Sequence, residues 1–409
     1  MTLLDKFHTP PAIVDSIERY GINPAGLTVE VDGCATEGVV NGQRVVLAGT
    51  NNYLGLTFDP LCIDAAIGAL ISHGTGTTGS RMANGTYSDH RCLEEELAEF
   101  FEARSAIVFT TGYQANLGII SALCGPDDLI LLDADSHASI YDGAKLSGAQ
   151  IYRFPHNDAA ALEKRLQRLG DRAKRTLVIV EGLYSMMGDR APLAKMVEIK
   201  DRYGALLLVD EAHSMGVLGE HGRGRAEEEG VLSKVDFIVG TFSKSLGSIG
   251  GYCVSPHVDL DVMRASIRAY MFTASSAPSV IAAARAGLRI VRERPELRAR
   301  LWRNANEVYR GLRNMGFEVG TEASPVVPVR FDDMSEAVDA WHALLAEGVY
   351  VNLVAPPASP GNFSLLRCSL SAGHTREQVQ RIIDGFGALR GKAHGRYTGS
   401  RVGSAAVQR

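Results

Sequence analysis

Lys244 has the most direct chemistry to offer. It lies in Thr241-Phe242-Ser243-Lys244-Ser245-Leu246-Gly247, just past the apolar run Phe237–Val239. A buried strand would end there, and a lysine at that point is poorly placed for a solvated surface role. Partial burial lowers an ammonium pKa and favours the neutral amine, the form that adds to a carbonyl to make an imine. The competing reading is an ordinary strand-end lysine, and one lysine alone does not decide between them. A second apolar run, Leu206–Val209, leads into Asp210-Glu211-Ala212-His213. An acid at the carboxyl end of a central parallel strand faces the usual ligand crevice of an open α/β sheet. An anion there can keep a heteroaromatic ring nitrogen protonated, so that the ring accepts electrons, and a histidine can serve a nearby ring oxygen. The plain alternative is a strand-end Asp capping a turn, with a packed histidine beside it. Pairing with a downstream strand-end lysine favours the site.

Three further segments carry weaker signals. Thr110-Thr111-Gly112-Tyr113-Gln114-Ala115-Asn116 falls between a strand-like run and a helical pattern. A glycine there lets backbone N–H groups approach a phosphate at a helix N-terminus, although a tight turn explains it equally well. Asp135-Ser136-His137-Ala138-Ser139 follows the next run. His137 could lie flat on a bound ring, or be a bystander beside a helix cap. Gly74-Thr75-Gly76-Thr77-Thr78-Gly79-Ser80 matches a dinucleotide-loop spacing by letter. That fingerprint must follow a strand, whereas residues 64–72 pattern as a helix, so the match is rejected in favour of a close-approach turn.

The elements that must position these residues are α/β in pattern. Apolar runs at 106–109, 129–132, 177–180, 205–209 and 237–239 alternate with helical stretches. Such runs read as a mostly parallel sheet buried by helices on both faces. Before them lies an arm with a short helix and strand-like segments at 27–33 and 43–48. After about 285 come a helical stretch (279–315), strands near 326–331, 350–353 and 365–370, and a helix near 334–347. A last helix opens on a capping box, Thr375 with Gln378. This gives an arm (1–58), a large domain (59–285), a smaller α+β C-terminal domain (286–390) and a flexible tail (391–409). The net charge of −5 over 409 residues argues against a general nucleic-acid binder. No run is apolar enough to span a bilayer and no secretory signal opens the chain, so a cytoplasmic enzyme is expected. Six scattered cysteines without a CxxC pair suggest reduced thiols and no metal site.

Taken together, NNYLGL, GTTGSRMANGT, TTGYQANLG, LDADSHASIYDG, EGLYSMMGD, LVDEAHSMGVLGEHGRG and GTFSKSLGSIGG resemble the α-oxoamine synthase family. These are fold-type I pyridoxal-phosphate enzymes, and the resemblance runs from about Asn51 to Thr375. It implies an aminotransferase-like fold and pyridoxal 5'-phosphate held as a Schiff base on Lys244. By motif, Asp210 and His213 would serve the pyridinium and phenolate, and His137 would stack on the ring. Gly112, Tyr113 and Thr241 would meet the phosphate, with Ser185 on the cofactor side. Thr273 would reach the phosphate of a neighbouring subunit, which implies a homodimer with shared sites. Asn52, Arg367 and Ser80 would lie on the substrate side.

The DADSHASIYDG, GTFSKSLG and RCSL wording is most similar to members that condense L-serine with a long acyl thioester, carried by coenzyme A or a carrier protein. The implied product is 3-oxosphinganine, with Lys244 as base at the amino-acid Cα. A lipid-like product leaves a peripheral place at the inner membrane open. The loop Val354-Ala355-Pro356-Pro357 lacks an Arg that several relatives carry before the double proline, which shifts carboxylate recognition onto Arg367. The alternatives are a member using alanine (an 8-amino-7-oxononanoate-forming type) or glycine, a catalytically silent partner subunit, and a nicotinamide-dependent dehydrogenase.

Overall fold

A computed structural model describes residues 2–356 and 358–393. The chain enters through α1 (Pro11–Tyr20) and a small antiparallel sheet of β1 (Val29–Glu30), β2 (Glu37–Val40) and β3 (Gln43–Leu47). Helices α2 (Pro60–His73) and α3 (Ser88–Phe100) follow. Asp59 caps α2 by accepting the Leu61 N–H at 3.0 Å, and Pro60 takes the first helical position, where its missing N–H costs nothing. The glycine-rich segment at 74–79 therefore leaves a helix, as its dismissal as a dinucleotide loop requires.

Strands and helices then alternate: β4 (Ser105–Phe109), α4 (Gly112–Leu123), β5 (Leu129–Asp133), α5 (Ala138–Ser147), β6 (Gln150–Phe154), α6 (Ala159–Leu169), β7 (Thr176–Glu181), α7 (Leu193–Tyr203) and β8 (Leu206–Asp210). The short α8 (Arg225–Glu228), β9 (Phe237–Thr241) and β10 (Gly251–Ser255) complete the sheet, and α9 (Asp259–Met263) and α10 (Arg268–Met271) come after it. The sheet order is β4-β10-β9-β8-β7-β5-β6. Neighbours among β5 to β9 pair in parallel, whereas β10 runs antiparallel to both β9 and β4. Every residue of β4, β5, β7, β9 and β10 is buried. Ile107, Ile130, Ile179 and Val239 share a core with Ile119 of α4 and Ile140 of α5. Val108, Leu131, Val178 and Ile238 share another with Leu97 of α3, Leu162 of α6 and Val197 of α7. A sheet with a core on each face explains the continuous apolar runs.

Two strands fall outside those runs. β6 is an edge strand whose Gln150 and Arg153 are exposed, and β10 begins on glycine. The helical stretch 279–315 is two helices, α11 (Pro278–Glu293) and α12 (Pro295–Asn314), separated at Arg294 because Pro295 starts a new first turn. β11 (Val326–Phe331) and α13 (Met334–Ala346) follow. The strand expected at 350–353 is two: β12 (Val349–Tyr350) pairs in parallel with β3, while β13 (Asn352–Val354) pairs with β14 (Ser364–Ser369). The helix α14 (Arg376–Ala393) begins at the reciprocal Thr375–Gln378 box, with bonds of 3.0 and 3.2 Å. Of the expected tail, residues 394–409 lie outside the described residues, as does Pro357. Among the described residues, no helix is long and apolar enough to cross a membrane.

Candidate active site

A cavity of about 250 Å³ opens where β7, β8 and β9 end and α4 begins. Gly112, Tyr113, His137, Asp210, His213, Thr241 and Lys244 all line it. These residues come from four separate segments, each at or just past the end of a strand. The parallel register sets Glu181 beside Asp210, and Asp210 beside Val239 on β9, so the strand ends fall at one level.

Asp210 is held at both oxygens. Oδ1 accepts the Ala212 N–H at 2.9 Å, and Oδ2 accepts from Asn116 Nδ2 at 2.6 Å. Lys244 sits on the short return between β9 and β10. Burial brings its pKa down to about 8 against the opposing pull of Asp210 and Glu181, and the Arg367 charge helps. His213 is buried, and its Nδ1 is 2.7 Å from the hydroxyl of buried Tyr53. Burial, then the charges of Lys244 and Arg367, hold His213 well below the usual imidazole range, so it is neutral. His137 is also lowered by burial and by Lys244, with Asp210 opposing.

Thr111 caps α4 by accepting the Gln114 N–H at 3.1 Å. The Gly112 and Tyr113 N–H groups have no acceptor within the helix, and both residues line the cavity with Thr241 and Ser243. A Cβ at Gly112 would come within 2.9 Å of the Thr241 Cβ, so only glycine lets the helix end approach β9 this closely. The Thr241 hydroxyl donates to the Gly250 carbonyl at 2.8 Å and lies 2.7 Å from Ser243 Oγ.

The other expected site residues form two neighbouring groups. Arg367 on β14 is buried, and donates to the Ser185 carbonyl at 3.0 Å and to Asn51 Oδ1 at 2.7 Å. Its Nε has no partner among the described residues. Asn52 turns its amide to Thr57 at 2.7 Å, leaving a buried Oδ1 unpaired, so Asn51 and not Asn52 meets Arg367. Thr273 accepts from Gln114 Nε2 at 3.3 Å, and Ser80 bridges to Ala274 next door. These two stand behind the start of α4, outside the cavity lining.

Sequence reasoning missed Glu181, Asn116, Ser139, Ser243 and Tyr53. Glu181 ends β7 as Asp210 ends β8, so the strand-end rule that found one could have found the other. Burial and the Asp210 charge push Glu181 well above the ordinary carboxyl range, although the His137 N–H that it accepts at 2.6 Å opposes this. Asn116 lies one turn into a helix and gave no local signal.

The donor set suits a phosphorylated pyridine aldehyde. A helix N-terminus and two hydroxyls fit a phosphate, the Asp210 carboxyl fits a ring nitrogen, and neutral His213 fits a ring oxygen. The Lys244 amine fits the aldehyde carbon. His137 and Ala212 supply walls for the ring. Among the described residues no cluster could hold a metal ion.

The model for aminotransferase class I and II matches residues 43–386. A serine palmitoyltransferase of Caulobacter vibrioides is 53% identical over 95% of this chain and 96% of its own length. One from Sphingomonas paucimobilis is 48% identical, covering 96% and 94%. The structure of an S. paucimobilis serine palmitoyltransferase variant with a bound PLP–myriocin aldimine superposes with a TM-score of 0.93 at 46% identity, covering 96% of this chain and all of that one. An 8-amino-7-oxononanoate synthase of Geobacter sulfurreducens is also 42% identical over 84% of the chain. The fold is thus fold-type I aminotransferase-like, and the chain belongs to the aminotransferase class I and II family, in the α-oxoamine synthase group that its motifs resemble.

Proposed function

We propose that this chain catalyses the pyridoxal-phosphate-dependent, decarboxylative condensation of L-serine with a long-chain acyl thioester to give 3-oxosphinganine. The observation that carries the reading is the convergence of Lys244, Asp210, His213 and His137 on one cavity, in a chain about half identical to serine palmitoyltransferases over nearly its whole length. The present Lys244 speaks against a silent partner subunit.

Lys244 would hold the cofactor through its amine, with Asp210 at the ring nitrogen, His213 at the ring oxygen, and Gly112, Tyr113, Thr241 and Ser243 around the phosphate. When bound, the cofactor supplies an electron sink for negative charge at the amino-acid Cα. Lys244 takes the Cα proton. Burial lowers its pKa to about 8 and so favours the neutral amine that can accept this proton. Asp210, fixed by two donors, keeps the ring proton in place. Arg367 and Asn52 are assigned to the substrate side, Arg367 as the cation for the carboxylate; Ser185 touches Arg367 through its carbonyl.

We further assign a homodimeric state with shared sites and a cytoplasmic setting. Thr273 and Ser80 lie side by side at one surface, next to Phe272, which is 69% exposed. On α2, Leu61, Ile67, Leu70 and Ile71 also leave apolar area uncovered. A second copy would bury such a face.

The test is product identification with a panel of amino acids and acyl thioesters. Serine with a long thioester should give 3-oxosphinganine. Preferential turnover of alanine with a short donor would replace this reading with the one that the 42%-identical relative favours.

A further inference from the structure

The wall of the cavity contains a hydrogen-bond chain whose direction can be worked out atom by atom. Asn116 Nδ2 lies 2.6 Å from Asp210 Oδ2 and 3.0 Å from Ser139 Oγ. An amide nitrogen only donates, so its two hydrogens serve these two acceptors. The opposite flip would set an amide oxygen against a carboxyl oxygen. Ser139 Oγ also lies 2.7 Å from His137 Nδ1. Separately, the Ser139 backbone N–H donates to the same Nδ1 at 3.2 Å and makes His137 the cap of α5. A backbone N–H cannot accept, so Nδ1 carries no proton. The Ser139 hydroxyl, already accepting from Asn116, must therefore give its single hydrogen to Nδ1.

We propose that Ser139 and Asn116 are positioning residues that lock His137 as its Nε2–H tautomer and tie that ring to Asp210. The Glu181 carboxyl accepts the His137 backbone N–H at 2.6 Å and fixes the same residue from the other side. No protein group among the described residues takes the His137 Nε2–H, and His137 lines the cavity. The imidazole then has one role to offer a substrate. It is a neutral hydrogen-bond donor to a carboxylate or carbonyl oxygen, and not a base, because its only free nitrogen already carries a proton. Proton removal at Cα stays with Lys244. This inference rests on the cavity being the reaction site.

The experiment uses full-length protein labelled with 15N-histidine, with and without cofactor, as wild type, Ser139→Ala, Ser139→Thr and Asn116→Ala. Ser139 is the second residue of α5 and is not its cap, so alanine suits the helix there. In wild type the ring-nitrogen resonances of His137 should show an unprotonated Nδ1 and a protonated Nε2. In Ser139→Ala only the longer backbone N–H bond at 3.2 Å still selects that tautomer, so the resonances should move part of the way towards tautomer averaging, and kcat/KM for L-serine should fall about 10-fold, the scale of one lost hydrogen bond. KM for the acyl thioester should hardly move. Ser139→Thr, which keeps the hydroxyl, should restore both readings, and Asn116→Ala should shift the tautomer part of the way. A wild-type tautomer in Ser139→Ala, or a threonine variant as impaired as the alanine one, would overturn the proposal. The two readings fail separately. A fixed tautomer in a wild type that makes no condensation product would count against the reaction, and product without a fixed tautomer would count against the relay alone.

Discussion

Lys244 shows how burial sets chemistry one residue at a time. Among the described residues Lys244 is the only lysine lining the cavity, and burial moves its amine from the ordinary lysine value to about 8. The free amine is the species that adds to an aldehyde. The rate at which cofactor-free protein rebinds pyridoxal 5'-phosphate should therefore climb with pH, bend near 8 and level off above it. A bend near 10.5, measured by stopped-flow absorbance, would mean that the site does not desolvate the amine. Lys244→Ala should abolish both the visible absorption of bound cofactor and turnover. A purified variant that kept both would remove the central assignment. At this scale the sequence was informative for residues at strand ends, because a strand end is a place that periodicity reveals. It was silent on Asn116, Ser139 and Tyr53, which act across the cavity from positions fixed only by helix packing. Asn51 shows the same limit, since nothing local tells which of two adjacent asparagines turns towards Arg367.

At the scale of elements, the loops that carry the site are tied together by charge. His156, just after β6, places Nδ1 2.8 Å from Asp133 at the end of β5, and Nε2 against Asp189 in the loop after β7. Asn157 reinforces the tie, its N–H reaching Asp133 at 2.8 Å and its amide reaching Asp189 at 2.9 Å. The His137 segment follows Asp133, and Ser185 lies in the Asp189 loop, so one imidazole braces both. Burial opposes its charge, but the two carboxylates outweigh that and raise its pKa to about 10. A raised folded value gives stability that is fully present below the unfolded value near 6.5 and is lost as pH climbs towards 10. His156→Asn should thus cost about 2 kcal/mol at pH 6, the scale of hydrogen bonds to charged groups. The cost should shrink towards pH 10, as read from urea unfolding at both pH values. An equal cost at both would mean that shape and not charge does the bracing. The strands missed from the sequence have physical explanations at this scale as well. β6 is half-exposed and polar, β10 starts on glycine, and the apolar-run criterion sees neither.

Across the whole molecule, the arm and the C-terminal portion are joined by a pairing that no local pattern announces. β12 adds in parallel to β3, and Ala48 and Tyr53 accept backbone bonds from Ser369 and Ala372. These contacts span some three hundred residues, and they bring Asn51 to Arg367. The α/β alternation, the two-faced sheet and the cavity at its strand ends were legible beforehand, since each follows from repeated local patterns. The proposed boundaries at 58, 285 and 390 are a coarser matter, given that this sheet draws strands from both sides of the first and the second. The uncovered apolar residues on α2 and around Thr273 belong to this scale too. Sedimentation should give about twice the chain mass of 43.9 kDa. A monomer that turned over at full rate would exclude sites shared between subunits.

The antiparallel strand of the seven-stranded sheet has a consequence for Lys244. Because β10 returns at once beside β9, the lysine rides a loop closed at its base by Phe242 N–H to Gly250 O at 3.0 Å and Ser248 N–H to Phe242 O at 3.1 Å. The backbone there has little room to swing, so once the amine is released from a carbon it stays on a leash of four methylenes. A tethered base of this kind acts at an effective concentration far above that of any amine in solution. The direction of a single strand thus sets how far the amine can stray between the two jobs proposed for it.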